Sequence, residues 1–106
     1  MMPDGVASGY LGILTADLHI PDSGSLKGKR RHVQRAKAQL QQRYGASVAE
    51  VDFHDLWQRA RLTLVIVRRE AGDVQDALAD AERYLSAQEY VLSRATRRVL
   101  SVEDDL

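Results

Sequence analysis

A chain of 106 residues, 44% hydrophobic and 28% charged, is long enough for one modest core and too short for two. Fifteen basic and fifteen acidic residues cancel, and the absence of cysteine excludes disulfides, thiolate metal sites and cysteine nucleophiles. The opening "MMPDGVASG" lacks the basic start and apolar run of a signal peptide, and no stretch approaches the roughly 20 apolar residues of a membrane span, so a cytoplasmic protein without a membrane partner is expected.

Residues 1–9 read as a flexible N-terminus. Tyr10 to Ile20 then alternates, with Leu14, Ala16, Leu18 and Ile20 on one face and Thr15, Asp17 and His19 on the other. That period predicts a strand, which "PDSGS" ends. From Ser25 the period becomes helical. Leu26, Val33, Ala36, Leu40 and Tyr44 form the stripe, Ser25 is the expected N-cap and Gly45 the expected stop. Gly28 weakens the first turn by up to about 1 kcal/mol relative to alanine.

A short strand comes next, with Ala49, Val51 and Phe53 on one face and Glu50, Asp52 and His54 on the other. "HDLWQ" connects it to Ala60–Arg68, whose "LVIV" end is apolar on both faces and therefore suits a central strand. Asp73 is the expected cap of a second helix with its stripe at Val74, Ala77, Leu78, Ala81 and Leu85. Val91 to Val102 reads as an edge strand, and residues 103–106 as a solvated acidic tail. The order β-α-β-β-α-β over residues 10–102 implies a single α+β domain of the ferredoxin-like kind. Two right-handed crossovers place both helices on one face of a four-stranded antiparallel sheet. The other face, with Leu11, Ile13, Val65 and Val67, has nothing to cover it and suggests a homodimer formed through the sheet.

Charge is unevenly spread. The segment Ser25–Tyr44 holds seven lysines and arginines and no acid, whereas Glu70–Glu89 holds six acids and only Arg83. The first is not a nucleotide-hydrolysis loop: Gly24 and Gly28 are too close for a Walker A motif, and Lys29 is followed by Arg30 rather than a hydroxyl. Lys27, Lys29, Arg30, Arg31, Arg35 and Lys37 instead suit contacts to a phosphate backbone at a helix start. The competing reading is a solvated face, neutralised in part by the acidic helix alongside.

Glu50, Asp52 and His54, with Asp55 or His19, have spacing compatible with a divalent metal, but any half-exposed strand displays polar residues at period two. No activated nucleophile accompanies them, so no catalytic residue, metal or cofactor is assigned. In the architectural reading of "HDLWQRAR", Asp55 caps the turn and Leu56 and Trp57 close the end of the core. Arg59 or Arg61 then pairs with Asp52 or Glu50 across the hairpin.

"SLKGKRR" (25–31) followed by "SVAEVDFHDLWQRA" (47–60) resembles the YlxP-like family of small bacterial proteins of unknown function, over roughly residues 12–102. The resemblance implies a ferredoxin-like fold. Genes of that family often sit beside translation and ribosome-maturation factors, which makes RNA or the ribosome the partner the resemblance suggests. Relatives commonly carry an acidic residue where this chain has Gly28, so the helix start here is more basic. The expectation is therefore a non-enzymatic accessory protein that meets RNA or the ribosome through Lys27, Lys29, Arg30, Arg31 and Arg35. Asp52, His54, Trp57 and Arg59 form a candidate functional surface beside them. The alternatives are an oligomerisation or protein-interaction module with a structural "HDLWQ" turn, and a metal- or anion-dependent enzyme.

Overall fold

A computed structural model describes residues 8–21 and 23–106. Strand β1 (Tyr10–His19) leads to helix α1 (Leu26–Tyr44), strand β2 (Ser47–Asp52) and strand β3 (Arg59–Arg68). Helix α2 (Ala71–Ser86), strand β4 (Val91–Ser101) and a one-turn helix α3 (Val102–Asp105) complete the chain. All strand pairs are antiparallel in the order β2-β3-β1-β4, so the expected ferredoxin-like arrangement is present and β1 and β3 are central. Of the segment expected to be a flexible N-terminus, residues 1–7 lie outside the described ones. The carbonyl of Gly9 accepts from Val102 N, and the acidic tail forms a helical turn capped by Ser101.

The local signals for α1 act as the sequence predicts. Ser25 accepts a hydrogen bond from Gly28 N at 3.1 Å, and Gly45, at φ 62°, sends its N–H to Gln41 O. Gly45 takes this left-handed conformation without a Cβ penalty. Helix α2 departs from expectation. It begins three residues earlier than an Asp73 cap requires, Glu70 occupies the cap without a side-chain bond, and Asp73 lies in the first turn.

Between the helices and the sheet, Leu14, Ala16, Leu18 and Ile20 meet Leu62, Leu64 and Ile66 from β3. Val33, Ala36 and Leu40 cover them from α1, and Val74, Leu78, Ala81 and Leu85 from α2. Helix α2 comes close to β1 only because residue 12 is a glycine. A Cβ there would stand 2.5 Å from Val74 Cγ1, inside any van der Waals contact.

Gly12→Ala is therefore expected to overpack the layer and cost about 1–3 kcal/mol. Urea denaturation checks this, and adding Val74→Ala should return part of the loss if the clash at Cγ1 is its source.

Candidate functional site

One cation of the basic segment has left the surface. Lys29 is 2% exposed, and its Nζ lies 2.9 Å from Glu50 Oε2 while donating to Phe53 O and, at 3.3 Å, to His54 O. Removing an ammonium from water costs several kcal/mol unless it is compensated, and here two carbonyls accept from it and a carboxylate lies at ion-pair distance. Glu50 Oε2 is buried too and makes no well-aligned hydrogen bond, so its compensation is the charge of Lys29. The expectation that Lys29 contacts phosphate is corrected accordingly. It is the internal clamp between α1 and the β2–β3 connection.

Glu50 reaches that clamp by regular pairing opposite Leu62, and a β-bulge then separates it from Asp52. Pairing of β2 with β3 shifts between Glu50 and Asp52, so that Val51 has no partner. The strict alternation expected over residues 49–54 is thereby broken. Glu50 faces the helix layer, while Asp52 reaches Arg61 on the opposite face, at 3.4 Å from Asp52 Oδ2 to Nη1. Glu50 and Asp52, which period two would place together for a metal, point to different sides of the sheet. Among the described residues no group of three or more His, Asp or Glu side chains is placed to hold an ion.

The connection itself is tightly pinned. Phe53 takes φ 66°, the only non-glycine positive φ among the described residues, and its N–H donates to Asp52 Oδ1 at 2.7 Å. Its carbonyl accepts from Leu56 N as well as from Lys29. The guanidinium carbons of Arg59 and Arg61 lie 4.1 and 4.8 Å from the centre of its ring, within cation–π range. The His54 ring meets Glu50 O at 3.1 Å. Gln58 binds the carbonyls of Pro21 and Ser23, tying the turn to the approach to α1. Leu56 and Trp57, expected to close the core, are instead 45% and 54% exposed. With the core already sealed by Ile20, Ala60 and Leu62, the turn projects both side chains outward.

The uncovered sheet face is graded. At one end Leu11, Ile13, Val65, Val67 and Leu100 share it with Arg98, the β4 partner of Ile13, and the middle carries Thr15, Thr63 and Thr96. At the other end Arg61 forms a two-pronged ion pair with Asp17, Nε to Oδ1 at 2.6 Å and Nη2 to Oδ2 at 3.1 Å. The bonds from Arg61 hold the Asp17 carboxyl below its ordinary 3.8, against the opposing effect of burial. Asp17, Arg61 and Arg94 line a shallow hollow of about 210 Å³ with Thr15 and Thr96. The sequence reading overlooked Asp17 as a partner. The available signal was a lone acid on a central strand with an arginine at the matching position of the next one.

On α1, Lys27, Arg30, Arg31 and Arg35 are all exposed and none has a carboxylate partner among the described residues. No carboxylate of the acidic helix lies within ion-pair distance of them among the described residues. Asp80 instead accepts from Tyr44 OH at 2.6 Å and pairs with Arg83 of its own helix. Burial first, and then that acidic acceptor, push the Tyr44 hydroxyl up to about 12. Arg43 stacks on Tyr84 at 4.4 Å. The end of α1 remote from its basic start thus meets α2 through a tyrosine–carboxylate bond and a cation–π contact.

Fold and site together define a small α+β protein with an open sheet, a basic helix face and a clamped β2–β3 turn. The chain belongs to the family described as "Protein of unknown function (DUF503)", whose model matches residues 11–98. It is also similar to the uncharacterized protein YlxP of Bacillus subtilis (strain 168), 32% identical over 57 residues. That match covers 54% of this chain and 62% of the relative. The likeness read from "SLKGKRR" and "SVAEVDFHDLWQRA" is borne out, and both blocks meet at one contact, Lys29 with Glu50, Phe53 and His54.

Lys29→Met should destabilise the protein by about 3–5 kcal/mol, because it strands the Glu50 carboxylate and two carbonyls. Glu50→Gln, which keeps an acceptor near the ammonium, should cost less. Denaturation of both variants in urea gives the comparison, and equal stability of Lys29→Met and the parent would contradict the clamp.

Proposed function

We propose that this protein is a non-enzymatic RNA-binding accessory factor that grips the phosphate backbone with Lys27, Arg30, Arg31 and Arg35. The observation that carries this reading is a helix face with four exposed cations, no acid in the helix and no carboxylate partner among the described residues. Exposed cations on one ridge attract a polyanion and release its counterions, and the start of α1 adds its positive dipole end. Lys29 is excluded from the contact set, since its charge is spent internally. Fluorescence anisotropy with a labelled single-stranded RNA tests the reading. The logarithm of affinity should fall with the logarithm of salt at a slope near −3, roughly 0.7 for each of four contacts. Replacing Lys27, Arg30, Arg31 and Arg35 by alanine should remove most of the affinity without loss of fold. Unchanged binding, or binding indifferent to salt, overturns it.

A second reading concerns the uncovered sheet face, and the observation favouring it is the apolar stripe at one end. Val67 is 59% exposed, beside the half-buried Leu11, Ile13, Val65 and Leu100. We infer that a second copy covers it. Strands of this length and number give a face of roughly 600 Å² by ordinary sheet spacings, near the ~800 Å² per partner of a stable interface. A two-fold axis through the stripe sets the Leu11, Val67 and Leu100 rows of two copies against one another, with Arg98 at the margin, and leaves α1 free on the far side. Sedimentation should then give a dimer at micromolar concentration that Val67→Glu converts to a monomer. A monomeric parent protein rules this out.

A further inference from the structure

We propose that the hollow beside Trp57 takes an unpaired nucleobase, so that the ligand class is single-stranded rather than duplex RNA. This rests on the phosphate-binding reading of α1 and deepens it. The hollow, about 370 Å³, is lined by His19, Leu56, Trp57, Gln58 and Arg59, and three of these present rings or a planar guanidinium. Trp57 is 54% exposed and takes no part in the core, although an indole is the side chain that gains most from burial. A flat apolar side chain held open to water at a fixed position calls for a flat partner.

Charge and placement select which partner. The turn carrying Trp57 is tied to the start of α1 by Gln58, through Pro21 and Ser23, and by Lys29, through Phe53 and His54. The hollow and the cations Lys27, Arg30 and Arg31, without a carboxylate partner among the described residues, therefore lie at one end of the molecule. Arg59, fixed over the Phe53 ring, contributes a further cation at the rim. Of the carboxylates in the turn, Asp52 is engaged by Arg61, leaving Asp55 alone in that segment. An aromatic platform beside a cationic track is the arrangement that binds single strands with little sequence preference, because every base has a face to stack. A duplex keeps its bases in the stack and offers Trp57 nothing.

Trp57 is the sole tryptophan of the chain, so its fluorescence reports on the hollow directly. Titration with an unlabelled ten-nucleotide oligoadenylate should quench that emission in step with the anisotropy change of a labelled copy. Trp57→Ala should weaken binding about tenfold, Trp57→Phe should recover most of it, and both variants should match the parent in circular dichroism. A ten-base-pair RNA duplex should bind more weakly and leave the emission unchanged. Oligoadenylate binding that persists in Trp57→Ala with no quenching in the parent overturns the base site while sparing the phosphate contacts. Loss of both signals for every RNA removes the two readings together. Trp57 emission that shifts on dilution of the protein alone assigns the hollow to a contact between copies and overturns the proposal as well.

Discussion

An ammonium buried at 2% exposure, with two backbone carbonyls and one carboxylate around it, sets the geometry of everything at the β2–β3 end of this protein. The Lys29 side chain leaves the first turns of α1 and reaches across the layer to residues 50–54. The carbonyls it holds belong to a turn whose first residue, Phe53, is left-handed, a conformation that costs a bulky side chain of order 1 kcal/mol. The strain is tolerated because three independent groups require it: Lys29 and Leu56 donate to the Phe53 carbonyl, and Asp52 accepts from its N–H. A neutral side chain at position 29 would leave those carbonyls facing an apolar layer, so the lysine specifies the turn as much as it stabilises the helix.

The sheet divides the chemistry of the molecule in two. Its helix side buries an apolar layer with the Lys29 clamp at one end, while Arg68 and Arg97 reach Tyr44 O and Glu82 at its margins. Its open side runs from mostly aliphatic through hydroxyl to charged rows within one ten-residue strand length. The charged end is organised by Arg61, which at once holds Asp17 by two bonds, reaches Asp52 and lies over the Phe53 ring. A planar guanidinium meets all three demands at once, pairing two-pronged with one carboxylate while its face lies on the ring, which a lysine ammonium has no plane to do. Asp17, kept ionised by that arginine, can sit at 7% exposure on a central strand without an unpaired charge.

The architecture was legible because each element carried its own period and its own stops. Ser25 and Gly45 bounded α1 as their chemistry demands, and the two most apolar strands became the central pair. The site was less legible, for two physical reasons. A bulge consumes one residue, Val51, and reverses the face of the residues beyond it, and no periodicity measured along the strand reveals where that occurs. Composition also cannot distinguish a surface lysine from a buried one. Lys29 sat among the other cations of its segment, and only its helical spacing from Val33, Ala36 and Leu40 marked it as facing inward. Trp57 was misplaced for a related cause: tryptophan usually signals a core, and nothing in "HDLWQ" tells that the core is already closed by Ile20, Ala60 and Leu62.

The exposed pair Leu56 and Trp57 gains meaning from the rigidity beneath it. The β2–β3 connection is fastened from the helix layer by Lys29, from the open face by Arg59 and Arg61 on Phe53, and from the β1–α1 approach by Gln58. A segment fixed on three sides has little conformational entropy left to lose. An aromatic group displayed on it can be covered by a partner without the ordering penalty that a free loop would impose, commonly 0.5–1.5 kcal/mol for each side chain immobilised, by rough measure. The same fastening explains why the basic helix face and the exposed indole stay in register. Both are referred to Lys29, the one cation of its segment that is buried in the layer between helix and sheet.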